Sequence, residues 1–365
     1  MLRILQRIAA VAIALAATSA AQAQSRIVNV YNWSDYIAPG VLDAFTNETG
    51  IAVRYDTFDS NDILETKLLA GRSGYDVVVP SGNFMARQIQ AGVFQKLDKA
   101  KLPNLANVWP EIARRLAAYD PGNAYAVNYM WGTVGIGYNV AKAREVLGPD
   151  VAVDSWDIVF KPEMLAKFKS CGVHMLDSSD DIFAAALHYL KLDPNSARQA
   201  DLDKAATLVE SVRSSVRKFH SSEYLNALAG GEICLVVGFS GDVKQAQKRA
   251  AEAKQSFEIA FAIPAEGAQI FFDNLAIPKD APHSAEALAL IDYLLRPDVA
   301  ARNSNFLGYP NGNLASRQFV DTTLLDDKSV YPDAATMAKL YVMTPRDARA
   351  QRVVNRLWPR IKTGK

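Results

Sequence analysis

Aromatic residues stand beside carboxylates at several points of the sequence where predicted strands end. Residues 31–36 place Asp35 between Trp33 and Tyr36 after the first predicted strand, and residues 239–242 and 271–273 repeat the combination. Aromatic faces attract cations and carboxylates pair with ammonium groups, so this pattern predicts binding of an organic amine. At any single position, a core aromatic residue or an aspartate that caps a helix is the alternative interpretation.

Patterns typical of catalysis, of nucleotide binding or of metal binding are missing from the sequence. Residues 238–241 (GFSG) have the wrong glycine spacing for a nucleophile elbow, and no phosphate-binding glycine loop occurs. The four histidines, His174, His188, His220 and His283, do not have the spacing of a zinc motif. We therefore predict no metal and no cofactor, and an enzyme that uses Asp and Ser in a cleft is the catalytic alternative.

Composition indicates an ordinary globular protein. The chain has 365 residues, of which 50% are hydrophobic and 22% are charged, and its 40 basic and 39 acidic residues give a net charge of +1. Nucleic-acid binders usually have a strongly basic surface, so this balance argues against that class. The length favours two domains.

The first 23 residues have the pattern of a secretory signal peptide. Arg3 and Arg7 precede an apolar run over residues 8–17, and Ala21 and Ala23 form an A-x-A cleavage site. A membrane anchor is the alternative, but about ten apolar residues are fewer than the ~20 that cross a bilayer. We expect cleavage after Ala23 and a soluble periplasmic protein.

Cys171 and Cys234 are the only cysteines. Exported proteins fold in an oxidising compartment, which favours a disulfide between them. Two separate buried thiols are the alternative.

Strand and helix patterns alternate along the chain. Residues 26–31, 52–55 and 75–80 read as strands, and residues 61–70 and 84–91 read as helices. This alternation predicts an α/β fold with mostly parallel sheets. Such sheets bind ligands beyond the carboxyl ends of their strands.

Two long, glycine-containing apolar segments, residues 125–139 and 233–242, enclose a stretch of about 100 residues that forms its own α/β unit. A chain that leaves one lobe, builds a second and returns can close both lobes around a ligand. We predict a signal peptide over 1–23, lobe 1 over 24–133 plus 239–298, and lobe 2 over 134–238 plus 299–365.

Six motifs resemble the periplasmic putrescine-binding proteins of bacterial polyamine ABC importers, and the resemblance extends from about residue 27 to residue 365. They are YNWSDYIAP (31–39), YDVVVPS (75–81), YMWGTVGIGYN (129–139), KFHSSEY (218–224), FFDNLAIP (271–278) and YLLRPDVA (293–300). The resemblance implies a type II solute-binding protein with a ligand cleft between two lobes. It also implies a monomer that performs no catalysis and delivers a polyamine to an inner-membrane ABC permease. A sensor subunit that reports to a membrane receptor, or a binder of another organic amine, is the alternative.

The resemblance also implies a set of binding residues. Asp242 and Asp273 match the carboxylates on the amine, and Phe271 matches the ring on the methylene chain. The full set is Trp33, Ser34, Asp35, Tyr36, Ser81, Asp181, Phe239, Asp242, Phe271, Asp273 and Tyr309.

Two of these positions depart from the family's pattern. Phe239 stands where tryptophan is usual, and Asp181 stands where glutamate is expected. A phenyl ring is a weaker cation–π partner than indole, and aspartate is one methylene shorter than glutamate. We expect weaker discrimination against amines longer than putrescine.

Overall fold

Strands and helices alternate along residues 26–364, the part of the chain that the computed structural model describes. The predicted signal peptide and its cleavage site lie outside the described residues. The strands are β1 (Ile27–Trp33), β2 (Ala52–Phe58), β3 (Val77–Val78), β4 (Ala126–Asn139), β5 (Val173–Met175), β6 (Lys218–Phe219), β7 (Leu235–Phe239), β8 (Ile259–Ala262), β9 (Gln269–Ala276) and β10 (Tyr341–Val342).

Helices contact the strands of both groups. Within residues 26–364, no helix is long and apolar enough to cross a bilayer. The helices are α1 (Val41–Thr49), α2 (Asn61–Leu69), α3 (Gly82–Gln90), α4 (Pro110–Leu116), α5 (Val140–Leu147), α6 (Asp157–Phe160), α7 (Pro162–Leu165), α8 (Ser179–Tyr189), α9 (Gln199–Val212), α10 (Tyr224–Ala229), α11 (Ser240–Glu252), α12 (Ser284–Leu294), α13 (Pro297–Leu307), α14 (Thr322–Leu325), α15 (Ala334–Met337) and α16 (Ala348–Thr363). Short 3-10 turns lie at Lys99–Lys101, Pro103–Asn107, Ala166–Phe168, Arg213–Ser215 and Leu314–Phe319.

The first group of strands is built around β1. This strand pairs in parallel with β2 on one side and with β3 on the other, and β3 continues to β9 and then to β4. Val77, Val78 and Val79 are fully buried, which explains three consecutive valines in a strand covered on both faces. The carboxyl ends of β1, β2 and β3 therefore meet at one edge, where Trp33, Phe58 and Ser81 lie.

The long strand β4 connects the first group to the second. Residues 126–133 pair with β9, and residues 134–139 pair with β7 and β8. In the second group, β7 pairs in parallel with β5, and β5 pairs in parallel with β6. One strand shared by two groups is a suitable hinge, because rotation about it moves the groups relative to each other.

The lobe boundaries stay a prediction. The strand β4 changes partners between Thr133 and Val134, next to the predicted boundary at 133. However, β8 pairs within the second group, although we assigned its residues to lobe 1.

The predicted disulfide is confirmed. Cys171 and Cys234 are bonded, with their Cα atoms 5.6 Å apart and a sequence separation of 63 residues. Each cysteine lies close before a strand, β5 or β7, so the bond joins the starts of two paired strands.

Candidate ligand-binding site

A cavity lies where the carboxyl ends of the two strand groups face each other. Together with the open space at its mouth it measures about 840 Å³. None of the described residues that line it is Lys, Arg or His, and seven of them are aspartates. These are Asp59, Asp62, Asp177, Asp180, Asp181, Asp242 and Asp273.

Asp273, on β9, is the most deeply buried of these seven aspartates, with an exposed fraction of 4%. It has no ion-pair partner among the described residues. Its two oxygens accept hydrogen bonds from the hydroxyls of Tyr36, at 2.7 Å, and Ser81, at 2.6 Å. Asn61 fixes Ser81 in turn, since the Asn61 amide donates to the Ser81 hydroxyl and accepts from its backbone N–H. Burial raises the pKa of Asp273 to about 7, against the opposing effect of the two hydroxyl donors.

Asp242 is held in the same way from the second strand group. It lies in the first turn of α11, and its two oxygens accept from the hydroxyls of Tyr224 and Tyr309, each at 2.7 Å. Burial raises the pKa of Asp242 to about 6. Each carboxylate oxygen that accepts one hydroxyl still has a free lone pair, so both groups can accept ammonium N–H donors.

Asp181 is another carboxylate of the cavity with a raised pKa. It lies in the first turn of α8, and burial raises its pKa to about 6. Its neighbour Asp180 pairs with the buried Arg346, and Asp177 pairs with Lys362 at 2.8 Å. Asp181 itself has no ion pair among the described residues, so its charge is available to a cationic ligand.

Aromatic rings form the walls between these carboxylates. The rings of Phe239 and Phe271 meet edge to face with centroids 5.2 Å apart, and Tyr36 and Tyr309 meet in the same way at 5.2 Å. Trp33 donates its indole N–H to a backbone carbonyl, which fixes its plane at the cavity edge. These apolar faces can cover a methylene chain while the carboxylates hold its charged ends.

A glycine allows one of these rings to approach the backbone. A Cβ at Gly241 would lie 2.2 Å from the ring of Tyr309, closer than any side chain permits. The Tyr309 hydroxyl can therefore reach Asp242 in the first turn of α11 because residue 241 has no side chain.

Ten of the eleven predicted binding residues line this one cavity: Trp33, Ser34, Tyr36, Ser81, Asp181, Phe239, Asp242, Phe271, Asp273 and Tyr309. Asp35 does not line it. Its backbone is left-handed, with φ of 54°, and its half-exposed carboxylate pairs with Arg249 at 2.9 Å. The left-handed turn sends Asp35 away from the cavity, so the structure does not support it as a direct ligand contact.

Several cavity residues escaped the sequence analysis. Asn61 and Asp62 begin α2 directly after the carboxyl end of β2, a position that the strand-end rule would have selected. Tyr224, within the motif KFHSSEY, does not line the cavity but anchors Asp242. It was also missed, because a contact across 18 residues has no local pattern.

Three polar contacts cross the cleft between the two strand groups. The Ser222 hydroxyl donates to Asp59 at 3.1 Å, Asn83 donates to Asp180 at 3.2 Å, and Arg249 pairs with Asp35. Contacts of this kind indicate that the described conformation is closed.

An α/β fold with two strand groups, a shared strand and a closed acidic and aromatic cavity between them defines a solute-binding protein. The chain belongs to the family of bacterial extracellular solute-binding proteins, whose pattern matches residues 40–335.

Relatives support this assignment over nearly the whole chain. The chain is 49% identical over 357 residues to the putrescine-binding periplasmic protein SpuD of Pseudomonas aeruginosa, covering 97% of each chain. It is 48% identical over 344 residues to the putrescine-binding periplasmic protein PotF of Escherichia coli, covering 94% of this chain and 93% of PotF.

A solved structure gives the same result. The spermidine/putrescine ABC transporter substrate-binding protein PotD from Streptococcus pneumoniae superposes with a TM-score of 0.76 at 28% identity, covering 93% of this chain and 99% of PotD. The predicted fold class and the resemblance drawn from the six motifs are confirmed.

Proposed function

We propose that this protein binds a linear polyamine in the periplasm and delivers it to an ABC permease of the inner membrane. The observation that carries the proposal is the pair of hydroxyl-anchored carboxylates, Asp242 and Asp273, in a cavity whose described lining has no cationic side chain. Removing an ammonium group from water is costly unless it meets a carboxylate and further acceptors. This cavity supplies both.

The comparisons support the same ligand class. The relatives named above bind putrescine or spermidine according to their descriptions, and each aligns with more than nine-tenths of this chain. The family and the relatives also support an extracytoplasmic location. Cleavage after Ala23 and a monomeric state remain part of the proposal; mass spectrometry of the mature protein and light scattering test them.

We further propose that the cavity binds its ligand without converting it. The relatives are substrate-binding proteins of transport systems, which supports binding and transport over catalysis. Incubation of putrescine with the protein, followed by quantification of the amine, should return all of it unchanged.

A thermal-shift panel tests the ligand class. Putrescine, cadaverine and spermidine should each raise the melting temperature, because a ligand at 100 times its Kd adds about 2.7 kcal/mol to the free energy of unfolding. The matched control is 1,4-butanediol, which has the length of putrescine but no charge, and it should have no effect. Equal stabilisation by the diol, or no shift with any amine, would contradict the proposal.

A further inference from the structure

His220 lies outside the cavity lining, yet its ring contacts the turn that leads into the cavity. The residue follows β6, and its backbone N–H donates to the carbonyl of Met175 on β5, so its position is set by the sheet. The ring atom Nδ1 accepts hydrogen bonds from the backbone N–H groups of Ser222, at 3.2 Å, and Glu223, at 3.1 Å. This is the contact that Asn or Ser makes when it caps a turn.

The turn held by His220 carries two groups of the site. The Ser222 hydroxyl reaches across the cleft to Asp59 at 3.1 Å, and Tyr224, the first residue of α10, donates to Asp242 at 2.7 Å. A shift of this turn would therefore change one contact that closes the cleft and one that anchors a carboxylate.

The hydrogen bonds also define the protonation state of the ring. An Nδ1 atom that accepts from two N–H groups cannot carry a proton, so the neutral ring holds its proton on Nε2. A second proton would place an N–H group against two N–H donors and remove both hydrogen bonds. Histidine is the side chain that ordinarily changes charge between pH 5 and 8.

Ionisable side chains lie on both strands next to His220. The Glu223 carboxylate lies 3.6 Å from Nε2 and also pairs with Lys218. His174 lies on the adjacent strand β5, and Arg217 comes directly before β6.

We propose that neutral His220 is a positioning residue for the ligand site, and that its protonation weakens ligand binding by releasing the turn that carries Ser222 and Tyr224. The inference rests on the proposed binding of an amine. It adds a second pH dependence to the one that comes from the ligand carboxylates. His220 acts only through this turn, since its ring does not line the cavity.

The test is the affinity for putrescine at pH 7.5 and pH 5.5, measured by calorimetry. The variants are His220→Asn, which keeps a capping acceptor but cannot be protonated, and His220→Ala, which has no acceptor. At pH 7.5, His220→Asn should bind within about twofold of the wild type, and His220→Ala should bind about three- to tenfold more weakly, the size of a lost hydrogen bond. Between the two pH values, the wild type should lose about three- to tenfold more affinity than His220→Asn.

The cavity carboxylates titrate in the same pH range. Because the wild type and His220→Asn both contain them, their effect on the affinity cancels in this comparison. A second measurement needs no variant: amide hydrogen exchange of Ser222 and Glu223 in the wild type, corrected for intrinsic rates, should lose protection at pH 5.5.

Superimposable pH profiles for the wild type and His220→Asn, or unchanged protection at pH 5.5, would overturn the inference while leaving amine binding intact. A wild type that binds no putrescine at pH 7.5 would overturn the proposed function, and this inference with it.

Discussion

Three of the cavity carboxylates, Asp181, Asp242 and Asp273, have strongly raised pKa values because the closed cleft removes them from water. Their values rise from an ordinary 3.8 to about 6, about 6 and about 7. A group that holds its proton more tightly when folded adds stability at pH values below 3.8, and this contribution is lost as the pH rises through the folded pKa. Without a ligand, the closed conformation therefore loses stability as the pH rises from about 4 to about 7. A bound cation offsets this loss because it stabilises the charged carboxylates.

The first prediction is that amine binding releases protons. An ammonium group favours the charged carboxylate and lowers its pKa, so protons leave the site when the ligand enters. Calorimetry at pH 6.5 in two buffers of different ionisation enthalpy should show that binding releases protons. At pH 8 the proton release should be close to zero. Release should decrease in Asp273→Asn. Proton uptake at pH 6.5, or equal heats in both buffers, would be inconsistent with these pKa shifts.

The second prediction concerns selectivity at Phe239 and Asp181. The smaller phenyl ring and shorter carboxylate leave space in the cavity wall, so the wild type should discriminate weakly against spermidine. The double variant Phe239→Trp, Asp181→Glu should favour putrescine by about 1–3 kcal/mol more than the wild type does. Titrations with putrescine, cadaverine and spermidine measure this, and Phe319→Trp, at an exposed phenylalanine outside the cavity, is the control. An unchanged ranking and spacing of affinities would show that neither residue sets selectivity.

Individual site residues were predictable where a motif and a strand end coincide. Ser81 follows this rule, whereas Asp273 lies within β9 and was identified by its motif; the structure brings the two together. Asp35 did not follow it, because its orientation depends on one left-handed residue within the turn, and the sequence does not encode this visibly. The pairing of Asp180 with Arg346 joins residues 166 positions apart, so no local pattern could reveal it.

The secondary-structure elements were more predictable than the pairing between the strands. The consecutive valines identified β3, and the glycine-containing segment identified β4, because burial on both faces leaves a clear composition. The change of partners within β4 has no such pattern, since both halves are equally apolar. The placement of β8 in the second strand group depends on this same change and was not foreseen.

The third prediction concerns the disulfide between the starts of β5 and β7. Closing a loop of 63 residues restricts the unfolded chain, so the double variant Cys171→Ser, Cys234→Ser should lose about 2–4 kcal/mol of unfolding free energy. Chemical denaturation measures this. Putrescine affinity should change little, because neither cysteine lines the cavity. A variant as stable as the wild type would mean that the bond does not constrain the unfolded chain.

The whole molecule acts by bringing two half-sites together. Asp273 and Ser81 belong to the first strand group, whereas Asp242 and Tyr224 belong to elements packed on the second. Each half alone offers one anchored carboxylate, and closure brings them around one ligand. Contacts across the mouth, such as Asp35 with Arg249, are exposed ion pairs and contribute about 0–1 kcal/mol. Such ion pairs therefore add little to the free energy of closure.

The most direct test of this account is the affinity for putrescine when one anchored carboxylate loses its charge. Asp273→Asn keeps the shape of the side chain and should weaken binding by about 2–5 kcal/mol, because an ammonium group is left without its partner. The control is Asp326→Asn, which makes the same change at an exposed position outside the cavity and should bind like the wild type. Titration calorimetry of the wild type and the two variants should show a large loss for Asp273→Asn alone. Wild-type affinity in Asp273→Asn would contradict the account, since the ligand would then not depend on the charge at the centre of the proposed site.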